Sequence, residues 1–163
     1  MGSNIIRMID YSAAVAARVQ GVVLPDGSIV GVRAVHGSGN AGIPNPLFPG
    51  QNIDAAPEKP REQFCHTSEI PDAPTVSPLT QDGVVTFEWT ISMRLYVPRQ
   101  NLATVRQTLL PFYDPYMGTF WADRQLGGMC NLSYIRSFKP DGDDDFCWLD
   151  MDLWVQENVD YGV

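Results

Sequence analysis

Chemistry in a protein starts with a base, a nucleophile or a metal ligand held in place by neighbours, and this chain offers few such groups. Its two histidines, His36 and His66, lie at the entrance and in the middle of a stretch dense in proline and glycine. His66 follows Cys65, but neither histidine has a second ligand at metal spacing on a rigid element, so both read as solvent or interface residues. The three cysteines, Cys65, Cys130 and Cys147, form no C-x-x-C pair and are too few for a disulfide framework, so reduced, partly buried thiols are expected. Asp141, Asp143, Asp144 and Asp145 around Gly142 gather the carboxylates that a hard cation wants. Their glycine comes too early for a calcium loop, and the flanks read as strands where that loop has helices; a solvated hairpin tip is the simpler account. Gly37-Ser38-Gly39-Asn40-Ala41-Gly42 lacks the Lys-Ser/Thr ending of a phosphate loop and leads into proline. Asp150 and Asp152 share one strand face and invite an acid-base reading, but a polar outer face opposite Leu149 and Met151 is more economical. Trp148 and Trp154 lie on that same face, where large aromatics mark a partly covered surface. No catalytic residue, metal or cofactor is expected.

The elements that must position these residues are legible from periodicity. Ser3 can cap a helix whose apolar residues Ile5, Met8, Ile9, Ala13, Ala16 and Val19 follow the 3.6 period, and Gly21 ends it. Val22 to Val35 reads as two short strands about a Pro25-Asp26-Gly27-Ser28 turn. From His36 to Thr80 stand eight of the thirteen prolines (44, 46, 49, 57, 60, 71, 74 and 78), a density that neither a helix nor a central strand tolerates. Residues 36–80 are therefore expected to be an extended arm, disordered or laid over another surface. Val85 to Val97 alternates apolar and polar residues throughout and predicts a strand long enough to project beyond the core.

Asn101 can cap a helix running towards Asp123, with Leu102, Val105, Leu109, Phe112, Tyr116 and Phe120 on one stripe and Leu110, Tyr113, Met117 and Trp121 on a second. That apolar surface is wider than packing on one sheet requires. Pro111 and Pro115 predict a kink or restart. After Leu126-Gly127-Gly128 a strand with Cys130, Leu132, Tyr134 and Phe138 on one face, a turn from Pro140 to Asp145 and a strand with Leu149, Met151, Leu153 and Val155 complete a hairpin. Its turn predicts Cys130 near Val155 and Cys147 near Phe138, which excludes a disulfide across it. The expected fold is α/β of the α+β kind: one domain over residues 1–163, a mainly antiparallel sheet of about four to five strands, two helices on one face and the Pro-rich arm.

Composition narrows the function. The formal net charge is -8 and charged residues are 18% of the chain, so no clustered basic face exists to grip nucleic acid. No run of apolar residues is long enough to span a membrane, and the basic-then-apolar order of a secretory signal is missing at the start. An interacting protein is a better fit than an enzyme.

Tyr96-Val97-Pro98-Arg99, Leu110-Pro111-Phe112-Tyr113-Asp114, Asp123-Arg124 and Leu126-Gly127-Gly128 carry a resemblance. Over about residues 83–157 the chain resembles tail terminator (tail completion) proteins of long, non-contractile-tailed bacteriophages, in which a strand enters a helix with a pattern similar to L-P-F-Y-D, an L-G-G turn leaves it and two antiparallel strands follow. The resemblance implies a virion structural protein, assembled in the host cytoplasm, that forms a homo-oligomeric ring, usually a hexamer, on the head-proximal end of the tail. Such a ring stops growth of the tube protein and offers a surface to the neck or head-completion proteins, while DNA passes through without specific binding. The arm is longer than the corresponding loop of that family. Leu110, Phe112, Tyr113, Met117, Trp121, Trp148 and Trp154 are the expected subunit or partner interface, and Asp141, Asp143, Asp144 and Asp145 the expected channel or rim cluster. A neck connector of the same virion is the nearest alternative. A metal-binding module using Cys65, His66 and the aspartates, or a ligand-binding domain with Trp148 and Trp154 as its platform, are the alternatives of other kinds.

Overall fold

The computed structural model describes residues 4–36, 43–44, 52–53, 65–69, 74–78, 83–97, 107, 109–142 and 147–161. Helix α1 (Asn4–Val19) presents Tyr11, Val15, Ala16 and Val19 to the interior, and Gly21 ends it at φ 82. The expected cap at Ser3 lies outside the described residues. The Pro25-Asp26-Gly27-Ser28 turn forms as predicted: Val23 bridges Ile29, Leu24 N–H donates to Ser28 O, and Gly27 takes φ 87.

The chain then departs from a simple hairpin. Strand β1 (Gly31–His36) leaves the turn and pairs in parallel with β4 (Cys65–Glu69). A two-residue pair, β2 (Ile43–Pro44) with β3 (Asn52–Ile53), stands apart. Strand β5 (Thr75–Pro78) lies along the first half of β6 (Val84–Val97), and β4 along the second half. β6 pairs over its full length with β8 (Cys147–Asp160), which pairs with β7 (Leu132–Gly142). The sheet thus has six strands in the order β1-β4-β6-β8-β7 with β5 beside β6. It is mainly antiparallel, as expected, with one strand more than expected and one parallel pair.

Three expectations are corrected. The proline-rich stretch holds an interior strand, because Cys65–Glu69 falls in the proline-free interval between Pro60 and Pro71 and is short enough to fit there. β6 does not project: β8 covers it throughout, and Trp89, Ile91, Met93, Leu95 and Val97 are buried. The last hairpin closes later than expected, so Ser133, not Cys130, faces Val155, and Gly142, not Phe138, faces Cys147. Pro140 stays inside β7 because β7 is an edge strand, where a missing donor costs no ladder bond.

A bulge between Ile135 and Ser137 also switches the sides of β7. Before it, Ser133 and Ile135 face the core and Leu132 and Tyr134 do not, contrary to expectation; after it, Phe138 turns to the helical side and stacks on Tyr113 at 3.8 Å. Pro111 imposes a 3-10 turn at Leu110–Phe112, and α2 (Tyr113–Ala122) starts after it, the expected restart. The first piece of that helix, with its cap at Asn101, lies outside the described residues except Gln107 and Leu109. Both helices pack on one face of the sheet, where one apolar cluster joins Tyr11, Val15 and Val19 of α1, Tyr116 and Phe120 of α2 and the odd-numbered residues of β6 and β8. Each fully buried large side chain there contributes about 1.5–3 kcal/mol.

Candidate functional site

Three places gather polar or aromatic side chains. The first is inside. His66, expected in solvent or at an interface, is fully buried on the helical face of β4, with Nδ1 3.0 Å from the Tyr116 hydroxyl and the rings stacked at 5.8 Å. Burial holds its pKa down to about 3, so the imidazole is neutral. Nearby in the same core, the Tyr11 hydroxyl lies 2.6 Å from Glu157 Oε2 and 3.1 Å from Met129 O, while its ring meets Trp89 at 5.0 Å. These pairs tie helices to strands far apart in sequence, which suits a positioning role in the fold. Cys130 is buried against the Arg124 carbonyl, and burial pushes its thiol up to about 11. Cys130 and Cys147 are free, and Gly142 opposite Cys147 leaves no disulfide across the hairpin.

The second place is the outer face of the sheet. Arg94 of β6 makes a bidentate contact to Asp150 of β8, Nε to Oδ1 at 2.6 Å and Nη2 to Oδ2 at 3.2 Å, and its guanidinium lies 4.4 Å over the Trp148 ring. Trp148 Nε1 donates to Asp150 Oδ2 at 3.1 Å, and Tyr96 meets Trp148 edge-on. Asp152 accepts from Ser92 and Ser137, one on each neighbouring strand. Both aspartates therefore accept hydrogen bonds from neighbouring strands, and Asp150 one from its own, which matches the polar outer face expected of them. The ion pair is over a third exposed and is worth about 1 kcal/mol or less. Trp154 is only 9% exposed beneath Tyr134 and Arg136, and Trp148 is covered by Arg94; neither offers a bare ring.

The third place is the far end of α2. Asp123 leaves the helix with non-helical backbone, and Leu126, Gly127 and Gly128 follow at φ 49, 72 and 91, so the L-G-G turn is a left-handed run. Asp123 accepts from Gly127 N–H at 2.9 Å and pairs with Arg18 of α1. Arg124 O is held by the Ser133 hydroxyl at 2.9 Å. Trp121, 60% exposed, carries the Arg124 guanidinium 4.4 Å above its ring. A cleft of about 450 Å³ opens beside them, lined by Trp121, Ala122, Asp123, Arg124, Gln125, Asn131 and Leu132.

The expected interface residues divide accordingly. Leu110 (44%) and Trp121 remain exposed, Tyr113 and Met117 are half-buried against the chain's own core, and Phe112 is buried. The second stripe of the helix is thus partly covered from within. Asp141 sits at the end of β7, its carboxyl held below the usual range by the Gly142 N–H and by Lys139; Asp143, Asp144 and Asp145 lie outside the described residues. An apolar pair that the periodicity did not single out, Val23 and Ile29 on the first turn, is 60% and 64% exposed. The signal in the sequence was the apolar residue on either side of the Pro25-Asp26-Gly27-Ser28 turn.

Among the described residues no three His, Cys, Asp or Glu side chains gather to hold a metal ion, and no helix is long and apolar enough to cross a membrane. Comparison with protein-family models and with curated proteins yields no match.

Proposed function

We propose that this chain is a structural virion protein that closes the head-proximal end of a long, non-contractile phage tail as a ring of its own copies, ending tube growth and offering the surface to which the head is joined. The observation that carries the reading is the apolar surface left uncovered: Leu110 and Trp121 at the two ends of the α2 segment, and Val23 and Ile29 on the first turn. Scattered exposed apolar residues are ordinary, but a tryptophan at 60% exposure with an arginine stacked on it is the composition of protein interfaces. The element order supports the reading too, since a long strand, a proline-interrupted helix, an L-G-G turn and two antiparallel strands follow the pattern that the sequence resembles.

The acidic balance fits a channel that lets DNA pass, with Asp141 ionised at neutral pH. Charge reversal of Asp141, Asp143, Asp144 and Asp145 is expected to slow DNA ejection, and unchanged ejection removes that part of the reading. For the capping role itself, purified chain added to polymerising tail-tube protein should halt elongation, and a chain with Leu110→Ser and Trp121→Ser should fold but cap poorly. Tubes that grow on unchecked in the presence of the wild-type chain overturn it.

A further inference from the structure

The copy-to-copy contact on which that ring reading depends has a specific address: we infer that the Val23–Ile29 turn of one copy seats in the Trp121–Arg124 cleft of the next. The turn is a knob. Val23 and Ile29 form a bridge pair whose side chains stay 60% and 64% exposed, and the exposed Asp26 stands at the tip between them. Its shape is fixed from within, by Ser28 N–H on Asp26 Oδ1 at 3.0 Å and by the Leu24–Ser28 backbone bond, so little order has to be imposed on docking.

The cleft is the complement. Its apolar lining is the exposed Trp121 ring and the half-buried Leu132, set among the polar Asp123, Arg124, Gln125 and Asn131, and Arg124 stands over the ring. Asp123, the adjacent carboxylate, is engaged by Arg18 and Gly127, which leaves the Arg124 guanidinium facing the cleft without an ion pair among the described residues. In a chain with 11 Lys and Arg against 19 Asp and Glu, such a cation beside one exposed tryptophan ring in an otherwise mostly polar cleft selects a carboxylate flanked by apolar side chains, and the same chain carries that arrangement at Asp26 between Val23 and Ile29. Where the knob of one copy enters the next without that copy's knob returning to the first, the contact is heterologous, the kind from which a ring closes. The Arg18–Asp123 pair fixes the root of the turn and the mouth of the cleft to the same end of the helical layer, yet the exposure of both shows that neither fills the other within one copy.

The test uses two full-length variants, Ser28→Cys on the knob and Gln125→Cys in the cleft wall, with a short thiol-specific cross-linker and the wild-type chain as baseline. Mixed together they should give a covalent pair in at least about tenfold excess over either variant alone, and adding Arg124→Glu or Trp121→Ser to the cleft variant should lower the yield by about tenfold. Far-ultraviolet circular dichroism checks that each variant is folded. Cross-linking of Ser28→Cys with itself as strong as in the mixture, or no mixed product at concentrations where the wild-type chain associates, overturns the contact; so does a wild-type chain that stays monomeric throughout. Ring closure is read separately from the mass of the wild-type assembly: mixed cross-links with an assembly that stops at two copies keep the contact and remove the ring.

Discussion

His66 is neutral in the fold because its burial leaves no water to solvate a charge, and this has a definite pH signature. Below pH 6.5 the unfolded chain takes up a proton at this residue that the folded chain refuses until about pH 3. His66 therefore costs nothing above pH 6.5 and lowers stability by about 1.4 kcal/mol for each pH unit within the window below it. Urea unfolding between pH 6.5 and 4.5 should show a steeper loss for the wild-type chain than for His66→Asn, the difference corresponding to one proton. Equal slopes would show that the imidazole is not desolvated. At Cys130 the raised pKa and burial predict an inert thiol. Native protein treated with an alkylating reagent at pH 8 should retain Cys130 and Cys147 unmodified by peptide mass mapping, and both should react in guanidinium; rapid native labelling of Cys130 contradicts the packing around Arg124 O.

Among the elements, the L-G-G turn and α2 give opposite expectations for the same substitution. Gly127→Ala forces a Cβ at φ 72 and within 2.9 Å of the Arg18 guanidinium, so the Arg18–Asp123 pair must shift. A loss of about 1–2 kcal/mol is expected. Gly118, inside α2 with nothing near its missing Cβ, should gain up to about 1 kcal/mol as alanine. Thermal unfolding should therefore move down for the first and up for the second, and a stabilising Gly127→Ala would deny the left-handed turn. These elements were legible because local rules govern them: period two over β6, the 3.6 period over α1, Pro111 at the break before α2. What the sequence hid depends on pairing at a distance. Cys65–Glu69 looks like part of an arm until β1 and β6 flank it, His66 meets Tyr116 fifty positions later, and Arg94 finds Asp150 only once β6 lies beside β8. The late hairpin follows from Pro140, Asp141 and Gly142 pairing as part of the strand, which an edge strand tolerates at the proline, and the extra residue at Arg136 then switches the sides of β7.

At the scale of the whole molecule, the described residues build a core on one face of the sheet and link strands on the other with polar bonds, yet leave large apolar side chains exposed at the first turn and around α2, as well as at Val76 and Tyr161. None of those places holds a buried reactive cluster among the described residues. On the function proposed above, neighbouring copies in a ring at the tail end would cover these places. The most direct measurement is tail length by electron microscopy in a phage from which this gene is deleted. The account predicts overlong tubes without heads, returning to uniform length when the wild-type chain is supplied. Tails of normal length lying beside unjoined heads would contradict it and assign the chain to the neck instead.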